Sequence, residues 1–189
     1  MTSRIDKERL RRAVREILEA IGEDVEREGL RATPERIADM YGELFQGLAE
    51  DPADQLQTAF GEGHQELVIL RDIPFYSMCE HHLLPFHGVA HVGYIPNERL
   101  VGVSKIARLV EGFARRPQLQ ERLTCQVADC IMDTLQPAGV AVVISAEHLC
   151  MTMRGVKKPG SKVVTSITRG SFVESPISRT EFLSLLHGK

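Results

Sequence analysis

The sequence predicts an α+β protein built on a largely antiparallel sheet. Three observations carry that expectation. The first fifty residues repeat apolar side chains at helical spacing, and from Glu66 the chain turns to short β-branched or aromatic runs punctuated by turn residues. The two patterns then follow one another as α-α-β-β-α-α-β-β-α, an order that differs from the strict strand–helix alternation of a parallel sheet. The 189 residues, 43% of them hydrophobic, suffice for one well-buried core with a small appendage. They divide into a helical segment over 1–50, a linker over 51–65 rich in Asp, Pro and Gly, and a single α+β unit over 66–189.

In the first helix Leu10, Ala13, Val14, Ile17, Leu18 and Ile21 recur three and four apart, and Gly22 is a natural stop. Thr33 then offers an N-cap with Pro34 at the first helical position, and Ile37, Met40, Tyr41, Leu44, Phe45 and Leu48 form the stripe of the second helix. Both stripes read as core or subunit contacts. Strands are expected over 67–71, 75–78 and 89–95, set off by Pro74, Pro85, Gly88 and Pro96-Asn97. Ser104 can cap a helix reaching about Ala114. Pro117 opens another, with Leu119, Leu123, Val127, Ile131 and Leu135 buried. Strands over 140–153 and 162–173 follow, and Ser178-Arg179-Thr180-Glu181 is a capping box before a last helix over 182–186.

Composition excludes several classes of function. The apolar run over 138–146 is far shorter than the ~20 residues of a membrane span. The start, Met1 through Glu8, is charged and lacks the apolar stretch of a secretory signal, and four cysteines without dense spacing do not make a disulfide scaffold. A cytoplasmic chain with reduced thiols is expected. The net charge of −3 argues against a nucleic-acid binder. Yet from His148 to Val173 no acidic residue occurs, while Arg154, Lys157, Lys158, Lys162 and Arg169 are basic. The segment reads either as a solvated loop or as a place for an anion.

Metal-capable groups are densest at Cys79-Glu80-His81-His82, where Cys-x-x-His spacing brings a thiolate and an imidazole to one turn and suits tetrahedral zinc. Histidine pairs also occur as satisfied polar residues at strand ends. A second element is His148-Leu149-Cys150. On an extended strand His148, Cys150, Thr152 and Arg154 share one side, a poor composition for a structural face and a good one for a site. Cys79, His82 and Cys150 then make three ligands, and three with an open position suit a metal holding a reactive water. Cys125 and Cys130 read as small core residues. Lys105 and Arg108 lie three apart on the first turn of the helix after Ser104, where free N–H groups and the dipole attract anions; with Arg154 they suit phosphates. Glu121, beside Gln120, reads equally as a solvated helix carboxylate or as an acceptor for the N–H groups of a heterocycle edge.

Four separated motifs, Cys79–His82, Gly102-Val-Ser-Lys-Ile106, Arg116-Pro-Gln-Leu-Gln-Glu-Arg-Leu-Thr124 and His148-Leu-Cys-Met-Thr-Met-Arg-Gly155, together resemble the GTP cyclohydrolase I family, over about residue 30 to the C-terminus. The resemblance implies the tunnelling fold (T-fold), an antiparallel sheet with helices on one face, joined into a toroidal homodecamer, a dimer of pentamers, with sites at subunit interfaces. It implies hydrolysis of GTP at guanine C8, release of formate and rearrangement to 7,8-dihydroneopterin triphosphate, the entry to folates and related pterins. Carried onto this chain, it makes Cys79, His82 and Cys150 the ligands of one zinc per subunit. His81 becomes the acid for guanine N7, His148 a second proton-transfer residue, and Ser104 a group near the substrate in the later rearrangement. Gln120 and Glu121 would hold the guanine, and Lys105, Arg108 and Arg154 the triphosphate, with Arg36 offered as a further cation from a neighbouring subunit. Two other readings compete: another member of the same fold, which would lack this pairing of zinc segments with Ser-Lys-x-x-Arg, and a nucleotide-binding scaffold with a structural zinc, which requires a fourth protein ligand.

Overall fold

The computed structural model describes residues 5–61 and 63–187. Helix α1 (Lys7–Ala20) begins at Asp6, whose carboxylate accepts from the Arg9 backbone N–H at 2.9 Å. Helix α2 (Thr33–Leu44) follows, tied to α1 by Lys7–Asp39 at 2.7 Å and by Arg11–Glu35. Val14 and Ala38 are buried, but Ile17 and Ile21 stay 60% and 70% exposed, so much of the first apolar stripe has no cover within one copy. The N-cap of α2 is Ala32 rather than Thr33, with Pro34 inside the first turn. Two 3-10 turns, Gln46–Leu48 and Pro52–Leu56, then lead into the sheet region.

The strands and remaining helices, in chain order, are β1 (Ala59–Gly61), β2 (Val68–Cys79), β3 (Pro85–Ile95), β4 (Arg99–Val101), α3 (Val103–Ala114), β5 (Pro117–Gln118), α4 (Gln120–Leu135), β6 (Gly139–His148), α5 (Leu149–Thr152), β7 (Val163–Gly170), α6 (Ser171–Glu174) and α7 (Pro176–His187). The main sheet has the order β5-β2-β3-β6-β7, antiparallel throughout except that β5 runs parallel to β2. β1 and β4 form a separate antiparallel pair. This is the α+β architecture with a mostly antiparallel sheet that the sequence predicts.

Period-2 alternation on β6 sorts the core. Val140, Val142, Ile144 and Ala146 join Leu109 and Val110 of α3 and Leu123, Val127, Ile131 and Leu135 of α4 on one face. Ala141 and Val143 point to the other face, where Phe172 and Phe182 cover them. At Gly88 an added Cβ would stand 2.0 Å from the Ser145 carbonyl and 2.6 Å from Ala146 Cα, so β3 and β6 approach there as only glycine permits.

Several boundaries differ from the sequence expectation. The two strands expected over 67–71 and 75–78 are one strand, β2, bent by a register shift between Leu70 and Ile73 at Asp72, whose φ is +56°. Pro117 opens the short edge strand β5 instead of a helix; its missing N–H costs no ladder bond at an edge, and Leu119 is the extended N-cap of α4. Ser104 does not cap α3: Gly102 does, and its carbonyl accepts from the Lys105 N–H at 2.8 Å. The last helix begins at Pro176, with Ser178 inside it bonded back to Ser175 Oγ at 3.3 Å. β6 stops at His148, where the chain coils into α5, so the shared strand face from His148 to Arg154 does not form.

Candidate metal and nucleotide site

The site lies where three strands end together. Register places Cys79 of β2 beside Gln118 of β5, Met78 opposite Pro85, and Phe86 of β3 opposite His148 of β6. Between β2 and β3 the chain reverses tightly: the Leu83 N–H donates to the Cys79 carbonyl at 2.9 Å, the Cys79 N–H to the Leu84 carbonyl at 2.9 Å, and Leu83 takes a φ of +50°. This reversal holds His82 Nδ1 3.7 Å from Cys79 Sγ. α5 completes the group from the other side. The ligand atoms of Cys79, His82 and Cys150 all lie within 4.8 Å of one another, with Cys79 buried, Cys150 half-buried and His82 exposed.

Two sulfurs and one imidazole nitrogen are the donor set that borderline-soft divalent zinc takes. Burial pushes the Cys150 thiol above its ordinary value, and the adjacent Cys79 sulfur pushes it further. Two thiolates this close repel, and a divalent cation between them removes that penalty. The residues fit the metal. Among the described residues the group contains three ligands, the number that leaves a tetrahedral position open, and no fourth protein ligand of a structural zinc joins them.

Around the trio stand the groups that could act on a substrate. His81 is 63% exposed and meets His82 edge-on, ring centroids 6.2 Å apart. Its neighbour Glu80 is gripped by the forked guanidinium of Arg122, with Nη2 at 3.1 Å, and that hydrogen bond holds the Glu80 carboxyl below the usual carboxylate range. Arg154 Nη1 lies 3.3 Å from His82 Nε2. His148 is stacked flat on Phe86, centroids 4.6 Å apart and rings 2° from parallel. Burial lowers its pKa, opposed by the negative field of Glu121, which is exposed on the first turn of α4.

Gln120 lies inside. It is 1% exposed, its amide nitrogen is within 3.1 Å of the Ile144 and Val163 carbonyls and Thr165 Oγ1, and its oxygen is 2.8 Å from His148 Nε2. The sequence carries a signal for this, because Gln120 falls on the Leu123–Val127–Ile131 stripe that α4 turns to the core. Nothing local marks Phe86 as the platform for His148.

Ser104, Lys105 and Arg108 are not brought to this group. Antiparallel pairing sends the chain from the Cys79 end of the sheet to the far end, and α3 begins there. Its last turn returns to the near end, where the Ala114 carbonyl accepts from Ser77 Oγ at 2.6 Å. Ser104 therefore sits about ten residues, or ~15 Å, back along the helix axis. Arg108 lines a separate cleft with Glu50, Gln55 and Glu111. Arg36 lies on α2 with its guanidinium 2.7 Å from Thr33 Oγ1 and 3.1 Å from the Gly29 carbonyl. Cys125 and Cys130 are half-buried free thiols, of which Cys130 packs against the main core.

Fold and site together define the class: an α+β protein in which a Cys–His–Cys group that could hold a metal stands beside two further histidines and an exposed carboxylate. The family model for GTP cyclohydrolase I matches residues 10–187. A GTP cyclohydrolase 1 of Dehalococcoides mccartyi is 61% identical over 186 residues, covering 97% of this chain and 98% of its own length. One from Carboxydothermus hydrogenoformans is 62% identical over 183 residues, covering 96% and 95%. Among solved structures, apo archaeosine synthase QueF-Like aligns with a TM-score of 0.46 at 19% identity, over 55% of this chain and 93% of its own. The chain belongs to the GTP cyclohydrolase I family, and it is a hydrolase. Among the described residues no helix is long and apolar enough to cross a membrane.

Proposed function

We propose that this chain opens the guanine ring of GTP by hydrolysis at C8, releases formate and rearranges the remainder to 7,8-dihydroneopterin triphosphate, the first step toward folate or related pterins. The convergence of Cys79, His82 and Cys150 within 4.8 Å, from segments far apart in sequence, is the observation that carries this reading. One zinc ion per subunit, held by these three residues with its fourth position open, would supply Lewis-acid chemistry and a neutral-pH source of hydroxide.

The chain's own residues do the rest. His81, exposed beside the trio, donates a proton to N7 as C8 is attacked. Histidine suits this because its ordinary pKa lies near neutrality. His148 moves a second proton near the ribose. Glu121 accepts from the guanine N–H edge, while the guanidinium of Arg154 binds phosphate oxygens. The inward-facing carboxamide of Gln120 supports positioning in place of substrate contact.

Ser104, Lys105 and Arg108 are needed at the ribose and triphosphate, yet α3 holds them at its far end. They therefore complete the site of a neighbouring copy, with Arg36 as a further cation across the interface. The exposed Ile17 and Ile21 stripe and the open edge of β7 favour such assembly, as a homodecamer of two pentamers. The segments 1–50 and 66–189 act as an assembly arm and a catalytic unit, and the cytoplasm is the compartment for a chain with two ligating thiols.

Incubating the zinc-loaded protein with GTP tests the reading. Formate release matched by a pterin-like absorbance is expected. GTP binding without formate would overturn it and leave a nucleotide-binding scaffold.

A further inference from the structure

His148 moves a proton in the proposed function, and a role for its tautomer rests on that reading. The buried hydrogen bonds around Gln120 permit only one arrangement of hydrogens. Thr124 Oγ1 donates its single proton to the Gln120 backbone carbonyl at 2.7 Å. Thr165 Oγ1, 2.7 Å from Thr124 Oγ1, must then be the donor in that contact, since Thr124 has no second hydrogen. Thr165 is left with lone pairs only on the side of Gln120, 3.1 Å away.

The inner end of the Gln120 carboxamide thus faces three acceptors: the Ile144 carbonyl at 3.1 Å, the Val163 carbonyl at 3.0 Å and Thr165 Oγ1. Only the NH2 group can point there, because a flipped amide would bury an oxygen against three oxygens with no hydrogen between them. The carboxamide oxygen is therefore turned to His148 Nε2 at 2.8 Å, and a carbonyl oxygen can only accept. Nε2 must carry a hydrogen. Phe86, stacked parallel to the imidazole at 4.6 Å, supports one face of the ring.

We infer that Gln120, oriented by Thr165 and Thr124, is a positioning residue that locks His148 in the Nε2–H tautomer, so that Nδ1 is the only ring atom exchanging protons with substrate. The proton moves between Nδ1 and the reacting nucleotide while the Nε2–H bond to Gln120 stays intact. Gln120 itself touches no substrate. This reassigns the one residue of the expected guanine-binding pair that the fold buries.

Solid-state 15N NMR of histidine-labelled, zinc-loaded, full-length protein reads the tautomer directly, with the His148 signals assigned by their loss in His148→Asn. The expected spectrum has Nε2 pyrrole-like and Nδ1 pyridine-like; the reverse pattern overturns the proposal whether or not any variant folds. Gln120→Met, close in volume and without hydrogen bonds, should give a mixture of tautomers and lower kcat, by on the order of 10²-fold, with KM for GTP and zinc content unchanged. A raised KM with kcat intact would make Gln120 a substrate contact and overturn the inference, as would lost turnover with the wild-type tautomer retained. If His148→Asn keeps full turnover, the role of His148 in the proposed function fails, while the spectrum still decides the lock.

Discussion

Cys79, His81 and His82 stand within four consecutive positions, but their surroundings separate their roles. Cys79 is buried and aimed at Cys150, whereas His81 is 63% exposed and turned to the solvent side of the same loop. Cys79→Ser should therefore lose both bound zinc and turnover, because an alcohol replaces a thiolate ligand. His81→Ala should keep its zinc and lose turnover by ~10²–10⁴-fold, the usual contribution of a positioned proton donor. Parallel metal analysis and formate assay on the two variants check this, and turnover surviving in Cys79→Ser would sink the ligand assignment. The spacing Cys-x-x-His is legible in the sequence. The place of Gln120 on the buried stripe of α4 is legible too, but its partners are not, since Ile144, Val163 and Thr165 come from strands that only the folded sheet brings to α4.

At the scale of elements, the β3–β6 pair sets the position of His148 through its register with Phe86. Gly88→Ala would drive a methyl group into the Ser145 carbonyl. Destabilisation of ~1–3 kcal/mol or more is expected, read as a lower denaturation midpoint, together with weakened turnover as His148 shifts. An unchanged midpoint would show that the strands separate freely there. The α1–α2 pair makes a different prediction. The hydrogen bond and charge of Lys7 hold the Asp39 carboxyl below its ordinary 3.8. The folded state therefore binds this proton less readily than the unfolded chain, so the stabilisation is present above about 3.8 and is lost as pH falls through the folded value. Amide exchange in α1 should accelerate over that acid window and also with added salt, because the contact is exposed. A Lys7→Gln variant should show a smaller acid response; an equal response would assign the effect elsewhere. The helical stripes themselves are legible in the spacing of apolar residues. Strand ends are not: the bulge at Asp72 and the coil into α5 arise from pairing and packing that no local pattern records.

For the whole molecule, the proposed sharing of a site between copies rests on the separation of α3's first turn from the Cys79–His82–Cys150 group. Mixed oligomers test this. Co-expressed Cys79→Ser and Lys105→Ala subunits, each inactive alone, should regain roughly a quarter of wild-type turnover, since random pairing across a heterologous interface leaves that share of sites intact. No recovery would place Lys105 in the site of its own chain by some rearrangement of α3. What the sequence by itself determined was the kind of chemistry and the class of fold, because residue type and period are local properties: thiol and imidazole at ligand spacing, apolar groups every three to four or every two positions. What only the tertiary structure decided was which of those residues meet. Strand pairing carried Cys150 to Cys79 and Gln120 to His148, and the same pairing carried Ser104 and Lys105 away, because the direction of each strand and helix is set by non-local contacts.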